Sequence, residues 1–357
     1  MNLRIRLAHL AAVALASVLI NPLPSVASTD DVSDGQWFHE LLRTDEAHKT
    51  SDGAGIKVAV IDTGVDATHP DLIGSVLPGA DFSPEGPGEG IVDKDGHGTG
   101  MASLIVGHGR VAGIAPGAKV VPIRQSVHGR GATADIARSI EWAVAHGDIH
   151  IISISLVDGF DDPAVRKAVN AALDADIIVV AGVGNDPQQP VGYPAAIPGV
   201  VAVSGVDRNG QNSKASAMGS AVVISAPSDG ITSAGLGHLW QAGTGTSAAT
   251  AIVAGAATLV RAAHPELSAA EVVHRLTATA TDKGPPGRDS AYGHGLLNLV
   301  AALTADVATT GPDAPSSAEH APTTPNPVNR TALAIIVGTV AALGALVLLI
   351  LRSRRRR

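Results

Sequence analysis

Three residues have the types and settings that nucleophilic acyl transfer needs. Asp62 closes an apolar run in VAVIDTGVDATHPDL (58–72), His97 lies between glycines in DKDGHGTGMASLIVG (93–107), and Ser247 opens an apolar stretch in GTGTSAATAIVAG (243–255). A serine hydroxyl is a poor nucleophile until a base takes its proton, and imidazole can do so near neutral pH. A buried carboxylate fixes the imidazole tautomer and stabilises the imidazolium that forms. Flanking glycines admit close backbone approach, and a helix start under the serine sets partial positive charge where negative charge develops. Taken singly, each residue has a plainer use: Asp62 as a turn cap, His97 as one of 14 histidines, Ser247 as a helix N-cap. The three settings together outweigh those uses.

VIDTGVDATHPDL, GHGTGMAS and GTGTSAAT resemble the Asp, His and Ser boxes of subtilisin-like serine proteases, in that family's order. The resemblance covers roughly residues 50–304. It implies peptide-bond hydrolysis with Asp62, His97 and Ser247 as the catalytic triad. A fourth box, VVAGVGND (179–186), resembles the segment that supplies a side-chain donor to the oxyanion, here Asn185. SISL (153–156) resembles the strand that pairs with substrate, implicating Ser153, Ser155 and Val157, and VHGRGAT (127–133) resembles the opposite edge. Two positions depart from the family pattern. Val157 and Asp158 stand where secreted subtilisins have a glycine pair, and Ala251 stands where a proline usually follows the nucleophile.

The elements that must position these residues read as α/β. Runs rich in Val and Ile recur at 56–62, 118–124, 149–156, 176–182, 199–205 and 221–225, as expected of strands buried on both faces. Helical patterns lie between them at 132–147 and 162–175, and later at 247–265 and 268–280, where Ser268 and Glu271 have capping-box spacing. The alternation predicts a parallel sheet with helices on both faces, and an active site beyond the C-terminal strand ends.

The flanks read as membrane signals. Residues 1–27 have a basic start (Arg4, Arg6), a short apolar core and small residues before Ala27, the pattern of a cleaved signal peptide. Residues 28–50 form an N-terminal extension, 51–304 the peptidase domain, and 305–330 a Pro/Ser/Thr-rich stalk. Residues 331–351 are uncharged and, at about 31 Å as a helix, long enough for one transmembrane helix. Residues 352–357 carry five Arg and should stay cytoplasmic, which places the catalytic domain outside the cell membrane. About 30 residues between Ala27 and the first strand leave no room for a folded inhibitory prodomain.

Charge and composition narrow the partners. The chain carries 25 basic and 33 acidic residues, or −8; without the seven terminal Arg the body carries 18 − 33 = −15. Such a body argues against nucleic acid and suits a polypeptide substrate. No cysteine is present, so disulfides and thiol chemistry are excluded. No acid cluster has a spacing that fixes a calcium site, so no cofactor or metal is expected. The entry segment QWFHELLRTDEAHKTSDGAGIKVAVID and the ending HPELSAAEVVHRLTATATDKGPPGRDSAYGHGLLNLVAAL resemble those of mycosins, the anchored subtilases of actinobacterial type VII secretion. That resemblance implies membrane subunits of a secretion complex as partners. It also leaves open a chain that is mainly a structural subunit of that complex.

Protease added to intact protoplasts should remove residues 28–330 and leave a short membrane-bound fragment. Complete protection of the body, read by immunoblot, would refute this topology.

Overall fold

The structure is a computed structural model and describes residues 29–127, 131 and 133–308. The expected signal peptide, most of the stalk, the transmembrane segment and the Arg tail lie outside the described residues.

The chain opens with three short helices, α1 (Thr29–Asp34), α2 (Phe38–Leu42) and α3 (Thr44–Ala47). Then come β1 (Lys57–Asp62), β2 (Ala80–Asp81), α4 (His97–Val106), β3 (Lys119–Arg124), α5 (Thr133–His146), β4 (Ile151–Ile154), α6 (Pro163–Asp174), β5 (Ile178–Gly182), β6 (Val201–Val206) and β7 (Ile224–Pro227). A hairpin of β8 (Ile231–Ala234) and β9 (Trp240–Gly243) leads into α7 (Thr246–Ala263), followed by α8 (Ala269–Ala278) and α9 (Leu299–Thr304). The main sheet has seven strands in the order β2-β3-β1-β4-β5-β6-β7, paired in parallel throughout.

The Val/Ile runs become central strands because both faces of the sheet are covered. Along β1, Val58 and Val60 join one core with Leu104, Ile252 and Leu259, while Ala59 and Ile61 join a second core with Ile140 and Val169. Helices α4, α7, α8 and α9 contribute to the first core, and α5 and α6 to the second. From β1 the chain goes through α4 to β3 on one side; from β4 it goes through α6 to β5 on the other. The C-terminal ends of β1 and β4 therefore flank a topological switch point, where open α/β sheets form their binding crevice.

Helix α7 is buried almost all round, as its unbroken apolar sequence predicts. By length and composition it would suit a membrane, but its burial makes it a core helix. Small residues let it approach its neighbours: a Cβ on Gly255 would sit 2.6 Å from Ile114 Cβ. Ala251, at the unusual non-proline position, is fully buried within an unbroken helix. The expected capping box also forms, with Ser268 N donating to Glu271 Oε2 at 2.8 Å and Glu271 N to Ser268 Oγ at 3.3 Å.

Two regions differ from expectation. The segment read as an N-terminal extension is built into the body: Val32, Phe38, Leu42 and Ala47 are buried in the first core. Trp37 Nε1 donates to Asp229 O at 3.0 Å, His39 Nε2 to Ala112 O at 3.0 Å, and His48 Nε2 to Ile114 O at 2.9 Å. Burial lowers the pKa of His39 to about 4, so it serves as a neutral donor. The last sheet strand also starts later than the 221–225 run suggests. Val222 N closes a turn onto Gly219 O, Val223 N makes the first bond to β6 at Ala202 O (2.9 Å), and the strand itself begins at Ile224.

Phe38→Ala empties a fully buried site. It should destabilise the body by about 3–5 kcal/mol in urea denaturation. A loss below about 1 kcal/mol would show that the N-terminal segment is dispensable to the core.

Candidate active site

Asp62 is the last residue of β1, where the strand emerges at the switch point, and it is fully buried. Its Oδ1 accepts from His97 Nδ1 at 2.7 Å and from Thr63 N at 2.8 Å. His97 begins α4, and Gly96 before it has φ 84°, which favours glycine. Because a carboxylate only accepts, His97 Nδ1 must carry hydrogen, which leaves Nε2 of the neutral ring as a base. The pKa of His97 is raised above the ordinary 6.5, chiefly by the charge of Asp62; burial opposes this, and the Asp62 hydrogen bond, Asp93 and Asp95 add to it.

Ser247 is the second residue of α7, across the cleft from His97. Its Oγ lies 3.5 Å from Ser155 O, a long contact. Among the described residues no hydrogen bond joins Ser247 Oγ to His97. Such contacts are often long in a free enzyme and tighten on substrate. Asn185 follows β5, and its Oδ1 accepts from Thr246 N at 2.8 Å and from Thr246 Oγ1 at 3.0 Å. With Oδ1 held, Nδ2 is left as a donor beside the serine. Gly245 makes room for it: a Cβ there would stand 3.0 Å from Asn185 Nδ2. Gly182 does the same for α7, since a Cβ would come 3.0 Å from both Thr246 Oγ1 and Thr250 Oγ1. Thr246 is the orienting residue that sequence reasoning missed, although it is the threonine just before Ser247.

Two cavities flank Ser247. One of ≈650 Å³ is lined by Ser155, Val157, Gly184, Asn185 and Gly192. The other, of ≈280 Å³, is lined by His97, Met101, Ser233, Gln241 and Gly243. Ser155 and Val157 thus line the larger cavity beside Ser247. Ser153 does not: it sits inside β4, 1 % exposed, with neighbours Val60 on β1 and Val180 on β5. Both edges of its backbone are engaged in the sheet, so none is left for a substrate strand. The ladder ends at Ile154, and only residues beyond it are free to pair. Residues 128–130 and 132 of the expected opposite edge lie outside the described residues. Among the described residues no three His, Asp or Glu side chains converge to hold a metal ion.

A buried carboxylate beneath an imidazole, facing a serine at a helix start, equips the switch-point cleft for serine hydrolase chemistry. The chain belongs to the subtilase family, whose sequence model matches residues 53–295, and it is a subtilisin-like serine endopeptidase acting on polypeptides. A thermostable alkaline protease of Halalkalibacterium halodurans is 38% identical over 267 residues, covering 73% of this chain and 72% of that one. The crystal structure of MycP1 from Mycobacterium smegmatis superposes with a TM-score of 0.75 at 30% identity, covering 84% of this chain and 92% of that one. A serine protease MycP1 described as an essential component of the type VII (ESX-1) secretion system superposes at 0.70 with 33% identity, covering 79% and 91%. The mycosin resemblance of the sequence therefore extends to the structure.

Asn185→Ala removes the amide and should lower kcat about 10²-fold with little change in KM, the size of loss known for such a donor in subtilisin. Steady-state kinetics on a peptide substrate decide it; a change confined to KM would take Asn185 out of this role.

Proposed function

We propose that the chain is a membrane-anchored extracytoplasmic serine endopeptidase serving a type VII secretion apparatus, with Asp62, His97 and Ser247 as its triad. The observation that carries the triad is the 2.7 Å hydrogen bond from His97 Nδ1 to the buried Asp62 carboxylate, in a cleft shared with Ser247. Ser247 Oγ attacks the scissile carbonyl carbon while His97 Nε2 takes the hydroxyl proton. The tetrahedral oxyanion is received by Asn185 Nδ2 and Ser247 N at the start of α7. On collapse the C–N bond breaks and His97 returns the proton to the leaving amine. Water then repeats the sequence on the acyl-enzyme, with Asp62 stabilising the imidazolium each time. Substrate backbone pairs with the chain just past β4, with Ser155 and Val157 at the wall of the larger cavity.

The anchor and topology rest on the apolar run 331–351 and the Arg cluster behind it. The secretion role rests on likeness to a relative described as an essential component of such a system. That description also supports a second reading, in which the chain chiefly stabilises the secretion complex and proteolysis is secondary.

Ser247→Ala deletes the attacking oxygen and leaves nearly every other contact in place. Peptide hydrolysis should fall to near background, as it does when a subtilisin loses its nucleophile. The wild-type protein should react with a serine-directed phosphonate, and failure to react would end the enzyme reading. Secretion should persist in a Ser247→Ala strain and stop when the whole chain is deleted. Equal loss in both strains would make proteolysis the essential role.

A further inference from the structure

We propose that Asp93 is a positioning residue of this active site, a buried carboxylate that locks the strand end carrying Asp62 to the helix start carrying His97. The inference rests on the triad reading above and adds a group which that chemistry does not use. Asp93 is 9 % exposed and lies four residues before His97. Its Oδ1 accepts from Thr63 Oγ1 at 3.0 Å, Asp95 N at 2.9 Å and Gly96 N at 2.9 Å. Its Oδ2 accepts from Thr99 N at 2.9 Å and Thr99 Oγ1 at 2.7 Å. Five donors converge on one side chain, more than the roughly four lone-pair sites of a carboxylate, so at least one is shared.

An ordinary helix cap would account for part of this set. Gly96 supplies no side-chain cap to α4, and Asp93 reaches Thr99 N in its place. A cap does not account for Thr63, which follows Asp62 out of β1. Having given its proton to Asp93, the Thr63 hydroxyl accepts from Gly98 N at 2.9 Å, the residue after His97. The backbone on both sides of His97 is thereby tied to the residue after Asp62, Gly98 N directly and Gly96 N through the Asp93 carboxylate. The two segments meet closely, since a Cβ on Gly98 would lie 2.1 Å from Gly64 O. A slip between them would lengthen the Asp62–His97 hydrogen bond, and small misplacements of a general base are expensive in rate.

The same carboxylate adds a negative charge near the imidazolium that forms during turnover. Around His97, β1 presents Asp62 and its own loop presents Asp93 and Asp95, while Lys94 pairs with Glu85 at 2.8 Å. Arg124 of β3 reaches Thr63 O while paired with Asp81 and Glu85. The residues that the β8–β9 hairpin and α7 contribute to the cleft lining are neutral, and the hairpin's His238 lies beside Asp66 at 3.8 Å. Asp93 and Asp95 both favour the protonated ring, after the larger effect of Asp62.

Asp93→Asn keeps the shape but places an NH2 among hydrogen-bond donors. We expect kcat/KM to fall about 10-fold or more with KM within about 2-fold. The acid limb of the pH–kcat/KM profile should move to lower pH, because His97 loses a charge that favours protonation. NMR titration of His97 in Ser247→Ala protein, with and without Asp93→Asn, reads the same shift without activity: the midpoint should drop by about half a pH unit. Thr63→Val keeps the charge and cuts the tie, so it should lower kcat and leave the His97 midpoint in place. A fall in Tm alone, with kcat/KM within about 3-fold of wild type and an unmoved midpoint, would overturn the proposal and leave Asp93 a loop cap. If Asp93→Asn does not fold, Thr63→Val decides, and unchanged kcat overturns the proposal. If the wild type proves inert towards phosphonates, the triad reading falls by itself; the His97 titration still judges Asp93, an unmoved midpoint refuting it.

Discussion

Burying the Asp62 carboxylate at the end of a central strand is the constraint on which the rest of the site depends. A charge removed from water is costly unless it is answered by partners. Here the partners are the Thr63 amide and His97 Nδ1, both on Oδ1; among the described residues Oδ2 has no hydrogen-bond partner. Those partners have to be held in place, because an imidazole that drifts leaves a buried charge unanswered. The tight meeting of the β1 end with the start of α4, and the glycines that allow it, follow from that requirement.

The sheet supplies the rigidity. Asp62 is set by strand β1 between β3 and β4, and Ser247 by the first turn of α7, which packs in the same core as β1. Asn185 is set by the end of β5 and held by Thr246 on α7. Asp62, His97 and Ser247 therefore sit on elements whose other residues are largely buried, and Asn185 lies on the short reach of chain past β5. The β8–β9 hairpin couples the two halves: Gln241 Nε2 donates to Gly96 O beside His97 at 2.9 Å, and β9 runs on into Ser247. The hairpin is itself backed by the N-terminal segment through Thr232 N and Gly35 O, at 2.9 Å. Residues far from the cleft in sequence thus bear on the distance between His97 and Ser247.

Much of this was legible in the sequence, because parallel strands buried on both faces become continuous Val/Ile runs. Runs 56–62 and 118–124 match β1 and β3 nearly residue for residue, and 247–265 matches α7. The four boxes named Asp62, His97, Asn185 and Ser247, and the structure gathers them at one cleft. Short elements were not legible. The hairpin segments ITSA and WQAG carry no long apolar run, and α1 to α3 are each too short to show a period. Their form is set by the surface they cover.

By itself the sequence determined the α/β class, the family and the chain order of the boxes that the cleft gathers, because residue type and hydrophobic period are local properties of the chain. Only the tertiary structure decided that Ser153 is interior while Ser155 and Val157 reach the cleft, since that depends on where the neighbouring strands stop pairing. Only it decided that the first described residues belong to the core, and that Thr246 and Asp93 hold the groups around them. Those facts depend on hydrogen bonds that join residues far apart in the chain or reach from one element to the next, such as the 2.8 Å contact of Thr246 N with Asn185 Oδ1. A pattern along one chain does not contain such distances; they appear when burial forces each polar group to find a partner.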